Sequence, residues 1–305
     1  MREFYFNFFG LQFLTSLNKE YYCKMKHTVS IIGGGPAALL CAAFLDPQKY
    51  DVVIYEKQKS LARKFLVAGK GGFNLSHAEP IAHMLERYTP TSFLREALLA
   101  FDNVMLRDWL KSLGVDTFVG TSNRVYPLKG IKPIEVLKVI IDELKYNGVS
   151  FEFEQEWSHW DSDNLVFKNG LQVRSDITVF ALGGSSWKKT GSDGSWNLEF
   201  NNQGFPVLPF QVSNCAFGIN WDSNFIQNHQ GKPLKNITIS CMSKSQKGEV
   251  VITEFGVEGN AIYALSPQIR EQLNTVGKAF VCIDLKPTVS LETLKHKFQN
   301  SSFNN

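Results

Sequence analysis

The clearest chemistry in the sequence sits at Gly33-Gly34-Gly35-Pro36-Ala37-Ala38 and, 23 residues after Gly33, at Glu56. Gly33 permits a tight strand-to-helix turn. Gly35 has no Cβ, so a pyrophosphate can approach the main chain. Ala38 holds the third position of the pattern, where a small side chain lets helix and strand pack closely. The unpaired N–H groups of a helix start, with the positive end of its dipole, attract phosphate oxygens. A carboxylate at the spacing of Glu56 accepts hydrogen bonds from a ribose diol. The acid favours an unphosphorylated adenosine ribose, as in FAD or NAD, over one carrying a 2′-phosphate.

These residues act together only if the flanking chain places them. Thr28–Ile32 is short, β-branched and apolar, the pattern of a buried parallel strand. Leu39–Leu45 is small and apolar and predicts a helix, with Pro36 in its first turn where a missing N–H costs nothing. Asp46-Pro47 ends it, and Asp51–Tyr55 supplies a second strand ending on Glu56. A lone glycine motif is weak evidence. Strand, turn, helix, strand and acid in order make it a strong sign of dinucleotide binding.

Two further glycine-rich stretches accompany the motif. Lys57 to His77 holds Gly69, Gly71 and Gly72 with nearby cations, and suits either a loop that wraps the cofactor or a glycine turn. Within it Asn74 either hydrogen-bonds a flavin edge or caps the next turn, and His77 fits a surface residue better than a base. Asp176–Leu182 is another buried strand that runs through Ala181 into Gly183-Gly184, bringing a second segment to the carboxyl edge of the sheet. There is no second GxGxxG, so a dedicated nicotinamide domain is not expected.

Composition narrows the class. The 305 residues are 44% hydrophobic and 20% charged, with a formal net charge of +3, which describes a globular chain with enough length for a core. The charge is too balanced to imply nucleic acid or a membrane surface. The five cysteines, Cys23, Cys41, Cys215, Cys241 and Cys282, form no CxxC or CxxxxC pair. That removes a zinc site and a redox dithiol, and the scattered set fits a reducing cytoplasm. The apolar run Phe4–Leu14 is too short to span a bilayer, and residues 1–24 are expected to be an extension ahead of the first strand. No Ser-His-Asp, Cys-His or paired-carboxylate constellation stands out, so no catalytic base is assigned.

The remaining chain predicts an amphipathic helix over residues 90–113 with an apolar stripe from Phe93 to Leu113, ended by Gly114. Arg124 is either an anion clamp or a surface charge, with the surface charge favoured. A second helix is predicted over Pro133–Tyr146. Val149–Phe153, Trp157–Trp160, Leu165–Phe167 and Leu171–Val173 predict a small antiparallel layer with a hairpin turn at Asn169-Gly170. From Phe205 to Leu285 the pattern is β-rich, punctuated by Gly231-Lys232-Pro233 and Lys247-Gly248, with a short helix over Ala261–Leu265. The tail from Ser290 predicts two helical turns.

The segments GGGPAALL, KFLVAGKGGFNLSH, SNRVYP, FALGGSSW-KKTGSDGSW and VITEFGVEGNAIYALSP, in that order over Met25–Pro287, resemble the aminoacetone oxidase family of FAD-binding enzymes. Its members are also described as BaiN/RdsA-like NAD(P)/FAD-dependent oxidoreductases. The resemblance implies an α/β, Rossmann-like FAD-binding domain of the two-dinucleotide-binding-domain flavoprotein type over 25–200, with an inserted β-rich substrate domain over 201–305. It implies that Gly33, Gly35 and Ala38 contact the pyrophosphate and Glu56 the ribose. Lys64, Gly71 and Asn74 would lie along the ribityl and flavin portion, and Gly183 and Gly184 would close the adenine side. Gly34, Pro36, Ala37, Lys57 and Ala181 complete the candidate cofactor-binding set.

One branch of the family has Arg-Cys ahead of the asparagine, where this chain has Gly72-Phe73. Nothing after Pro287 resembles the family's final return to the FAD domain. The expected function is an FAD-dependent oxidoreductase, with a small organic substrate such as an amine, or transient NAD(P)H, exchanging a hydride with the flavin. The alternatives are a non-catalytic, weakly binding remnant and an NAD-linked dehydrogenase. Expected partners are a small-molecule substrate and either a complementary C-terminal fragment or a second copy of the chain, without nucleic acid or membrane.

Overall fold

A computed structural model describes residues 26–67, 73–88, 90–120 and 123–300. They fall into two compact units that divide between Leu208 and Pro209. The anticipated 1–24 extension lies outside the described residues, as do Gly69, Gly71 and Gly72.

In chain order the first unit begins β1 (His27–Ile32), α1 (Pro36–Ala43), β2 (Tyr50–Glu56), α2 (Arg63–Leu66), β3 (Ser76–His77), α3 (Ile81–Leu85), α4 (Thr91–Ala100) and α5 (Asn103–Ser112). It continues β4 (Thr117–Val119), β5 (Arg124–Pro127), α6 (Pro133–Tyr146), β6 (Ser150–Phe153), β7 (Trp157–Asp161), β8 (Asn164–Phe167), β9 (Gln172–Val173), β10 (Ile177–Phe180) and α7 (Trp196–Asn202).

Four of these strands form a parallel sheet in the order β10-β1-β2-β6, with Ile31 paired to both Ile54 and Val179. Burial on both faces explains the apolar runs. On one face Val29, Ile31 and Ile54 pack against Ala38 and Ala42 of α1 and Leu137 and Leu144 of α6. On the other, Ile32 and Tyr55 pack against Trp157, Leu165 and Phe167 of the antiparallel β7-β8-β9 layer. Leu144 is wholly buried, so truncating it to alanine costs about 2–5 kcal/mol. At the opposite end of the strands, Asp176 Oδ2 accepts from Thr28 N and Oγ1, both at 2.8 Å, and ties β10 to β1.

Two expectations for this unit are corrected. Val149–Phe153 does not join the antiparallel layer; as β6 it pairs in parallel with β2 at the sheet edge. The periodicity over 90–113 is two helices rather than one. Asp102 Oδ1 accepts from Val104 N at 2.9 Å and Met105 N at 2.8 Å, so its side chain caps α5 and breaks the run at Phe101. The stripe is only partly core, since Phe93 is 81% exposed. Pro133–Tyr146 is helical as expected, with Glu135 Oε2 accepting from Lys132 N at 2.6 Å across the first turn.

The second unit holds β11 (Phe217–Gly218), α8 (Ser223–His229), β12 (Pro233–Cys241), β13 (Lys244–Thr253), β14 (Gly256–Glu258), α9 (Asn260–Ala264), α10 (Ser266–Val276), β15 (Cys282–Asp284) and α11 (Leu291–Asn300). Its sheet is antiparallel, in the order β11-β14-β13-β12-β15. Ile237, Ile239 and Val250 on that sheet pack against Ala261 and Ile262 of α9 and Ile269 of α10.

Lys247-Gly248 is not a turn but part of β13. A Cβ at Gly248 would lie 2.5 Å from Asn260 Oδ1, so glycine there serves the close approach of α9. The hairpin turns instead at Met242, whose φ is +53°. Helices α7, α8 and α10 and strand β14 were not anticipated, and α11 has ten residues rather than two turns.

Candidate functional site

The carboxyl ends of β1, β2 and β10 converge on a cavity of about 400 Å³. Gly33 leaves β1 at φ +104°, and a Cβ on it would sit 2.5 Å from Ala181 O, at the end of β10. Two strands therefore meet there with no room for a side chain. Gly33 N donates to Tyr55 O at 2.8 Å, so the turn is also stitched to β2.

Gly34 points the other way. Its N–H donates to Glu56 Oε2 at 2.7 Å, while Glu56 Oε1 accepts from Gln58 N at 2.8 Å. The carboxylate is thus fixed by two main-chain donors, and each oxygen keeps a lone pair for a hydroxyl. Ala62 N donates to Gly34 O at 2.8 Å, which brings α2 with Arg63 and Lys64 against the glycine turn.

Gly35 precedes α1 in extended conformation, and a Cβ on it would meet nothing within 4 Å. The main chain is bare on that side. The first helical hydrogen bond is Leu39 N to Gly35 O, so the N–H groups at the start of α1 have no helical partner. Pro36 and Ala37 line the cavity beside it.

The far wall comes from the segment after β10. Gly183 (φ +76°) and Gly184 line the cavity, and Trp196 Nε1 donates to Gly183 O at 3.0 Å. Trp187 and Ser192 pair as an antiparallel bridge, with Lys188–Thr190 as a short 3₁₀ turn between them. Asp193 Oδ2 then reaches Lys57 Nζ at 3.0 Å. Burial raises the Asp193 carboxyl, but Ser195 N–H, Lys57 and Ser195 Oγ outweigh it and bring the group down to about 2. Lys64 Nζ donates to Ser186 Oγ.

Of the residues singled out in the sequence, Gly33, Gly34, Gly35, Pro36, Ala37, Glu56, Lys57, Lys64, Ala181, Gly183 and Gly184 line one cavity. Ala38 does not; it is wholly buried beneath the helix start. Asn74 lies on a neighbouring apolar cavity of about 180 Å³ that shares Pro36 and Ala62 with the first. Gly71 lies outside the described residues, and Arg124 is an exposed residue of β5.

The sequence did not single out Asp193, Glu156, Trp157 or Trp196 as site residues, although all line the same cavity, and Arg63, one of the cations expected near the glycine-rich loop, lines it too. The glycine-rich run 190–196 marked its own segment as a loop, but pairing across 136 positions has no local signature. Trp157 is 8% exposed, and its indole Nε1 has no partner among the described residues. A buried donor of that kind is normally satisfied.

The fit to an adenine dinucleotide rests on four features: the bare main chain at Gly35, the fixed carboxylate of Glu56, the cations of α2 and the orphan indole N–H. Among the described residues no group of three or more His, Cys, Asp or Glu side chains could hold a metal, and no helix is long and apolar enough to cross a membrane.

The chain is 23% identical over 281 residues to the ribosomal RNA dihydrouridine synthase of Escherichia coli (strain K12), covering 89% of this chain and 66% of that protein. It is 24% identical over 290 residues to the 3-dehydro-bile acid delta(4,6)-reductase of Clostridium scindens, covering 88% and 67%. The chain thus spans about two thirds of the length of these relatives. Among solved structures, THI4 of Thermovibrio ammonificans aligns with a TM-score of 0.35 at 18% identity, over 54% of this chain and 61% of that one. Residues 27–284 match the HI0933-like protein Rossmann domain, and the chain belongs to that family, with its Rossmann-type FAD-binding domain.

Proposed function

We propose that this chain is an FAD-dependent oxidoreductase whose main cavity holds the adenosine-diphosphate half of the dinucleotide. The observation that carries the reading is a single juxtaposition. A carboxylate pinned by two main-chain donors, Glu56, stands beside a helix start left bare by Gly35. The first is what a ribose diol needs and the second what a pyrophosphate needs.

When bound, the isoalloxazine supplies the hydride chemistry. The chain's own residues bind and orient. Glu56 accepts from the ribose hydroxyls, the first N–H groups of α1 meet the phosphates, and Arg63 and Lys64 offset their charge. Gly183, Gly184 and Trp196 form the wall after β10. The apolar cavity bordered by Asn74, Leu75 and Trp109 offers space for more of the dinucleotide.

The hydride partner is proposed to be a small organic molecule, an amine among the candidates, or NAD(P)H acting as a transient donor. The relatives' names point to ribosomal RNA in one case and a bile acid in another, so a reaction class and not a substrate carries over. The cytoplasm is proposed as the location, in keeping with free Cys41, Cys215, Cys241 and Cys282.

The test is the visible spectrum of the purified chain before and after anaerobic addition of NADH, NADPH or a small amine. A yellow protein bleached by one of them supports the proposal. A colourless chain that FAD does not stabilise against heat sinks it, and a yellow chain that no donor bleaches is a flavin-binding protein without the proposed activity.

A further inference from the structure

The cations lining the main cavity fall into two kinds by their partners. Arg63 Nη1 is 2.6 Å from Gln58 Oε1, and Lys64 Nζ donates to Ser186 Oγ. Both partners are neutral, so both charges remain for an anion to meet. Lys57 and Lys168 instead face carboxylates, Asp193 at 3.0 Å and Glu156 at 2.8 Å. The Lys168 pair is largely exposed and contributes little.

The Lys57 pair is held more firmly. Its side chains are 25% and 27% exposed. Asp193 Oδ1 accepts from Ser195 N at 3.1 Å and Ser195 Oγ at 2.9 Å, which leaves Oδ2 for the lysine. The main chain of Gly191 lies against the Lys57 stem, since a Cβ on Gly191 would sit 3.5 Å from Lys57 Cε. Lys57 lines the same cavity as Glu56, so a free amine there would be open to a phosphate on the ribose that Glu56 binds.

We propose that Asp193 adds to the Glu56 carboxylate in determining which dinucleotide the cavity accepts. By engaging Lys57 it withholds that amine from a second phosphate, so the site takes a free adenosine ribose diol and rejects a 2′-phosphate. The inference rests on the reading of this cavity as an adenine-dinucleotide site. Its consequence is that a phosphorylated nicotinamide dinucleotide cannot displace FAD, whatever its role as electron donor elsewhere.

The test is calorimetric titration of the full chain, freed of bound flavin, with ADP-ribose and with ADP-ribose 2′-phosphate, which differ only in that group. The parent is expected to prefer ADP-ribose by at least about tenfold, the scale of one charge-assisted interaction of about 1.4 kcal/mol. Asp193→Asn should narrow the preference to about threefold or less by strengthening the 2′-phosphate ligand, and Asp193→Glu should restore it. The neutral pair Asp193→Asn/Lys57→Gln should keep the parent's ratio within about twofold, because the amine that Asp193 engages is then absent.

An Asp193→Asn protein that binds both ligands more weakly with an unchanged ratio overturns the proposal, since Asp193 would then only hold its loop. A selective loss of the 2′-phosphate ligand in the neutral pair Asp193→Asn/Lys57→Gln overturns it independently, and that arm decides if Asp193→Asn alone does not fold. A parent that binds neither ADP-ribose nor FAD brings down the reading of the cavity itself, which is distinct from an unchanged ratio in a protein that binds both.

Discussion

Neighbouring glycines in the turn after β1 have opposite reasons to be glycine, and substitution should separate them. Gly33→Ala places a methyl 2.5 Å from Ala181 O on a residue with φ +104°. Backbone strain alone costs about 1–3 kcal/mol, so the melting temperature is expected to fall by at least about 2 °C. Gly35→Val puts a Cβ where nothing lies within 4 Å and needs no unusual φ. It should leave the melting temperature nearly unchanged while abolishing retention of FAD, as read from the spectrum of the purified protein. Equal thermal losses in the two variants would contradict this account.

Asp193 offers a check by pH. Its carboxyl falls from the ordinary 3.8 to about 2 in the folded chain, a depressed value. Its stabilising contribution is therefore fully present above the ordinary value and is lost as pH falls through about 2. The stability difference between parent and Asp193→Asn, followed by denaturant titration, should be constant at neutral and mildly acidic pH and shrink only below about pH 4.

At the scale of elements, caps and close approaches decide what periodicity cannot. Asp102→Ala removes the side-chain acceptor of two main-chain N–H groups at the start of α5 and is expected to cost about 1 kcal/mol, measurable as a shifted denaturation midpoint. Gly256 is less forgiving. A Cβ there would lie 1.9 Å from Phe217 O, so Gly256→Ala must part β14 from β11, and loss of folded protein on expression is the expected result.

The α1 and α6 helices were legible because a proline in the first turn marked where each starts and glycine or Asp46-Pro47 marked where each ends. Helices α7, α8 and α10 were not. Their glycine-rich or polar flanks look like loop, and tertiary packing of residues such as Ile269 supplies the stability that local propensity does not. Strand β6 was misplaced for a related reason. A run such as Ser150–Phe153 carries no mark of the partner it will choose.

For the whole chain, ligand binding couples the cavity to folding. FAD at about one hundred times its dissociation constant should stabilise the chain by about 2.7 kcal/mol, raising the melting temperature by several degrees. Glu56→Ala should remove that rise while leaving the unliganded protein folded, because Glu56 contributes to the cavity wall rather than to the core. A rise that persists in Glu56→Ala would place the dinucleotide elsewhere.

What the sequence determined by itself was everything carried by neighbours in the chain. That covers the turn chemistry of Gly33 to Ala38, the carboxylate at Glu56 that we propose meets a ribose, the apolar strands that flank them and the glycines after β10. The physical reason is that a phosphate-binding turn is local and its residue types are dictated by main-chain geometry. Only the tertiary structure decided that β10 lies beside β1, so that Ala181 closes on Gly33, and that Asp193 meets Lys57 across 136 positions. Such pairings depend on which distant surfaces bury together, and an ion pair leaves no periodic trace in the sequence.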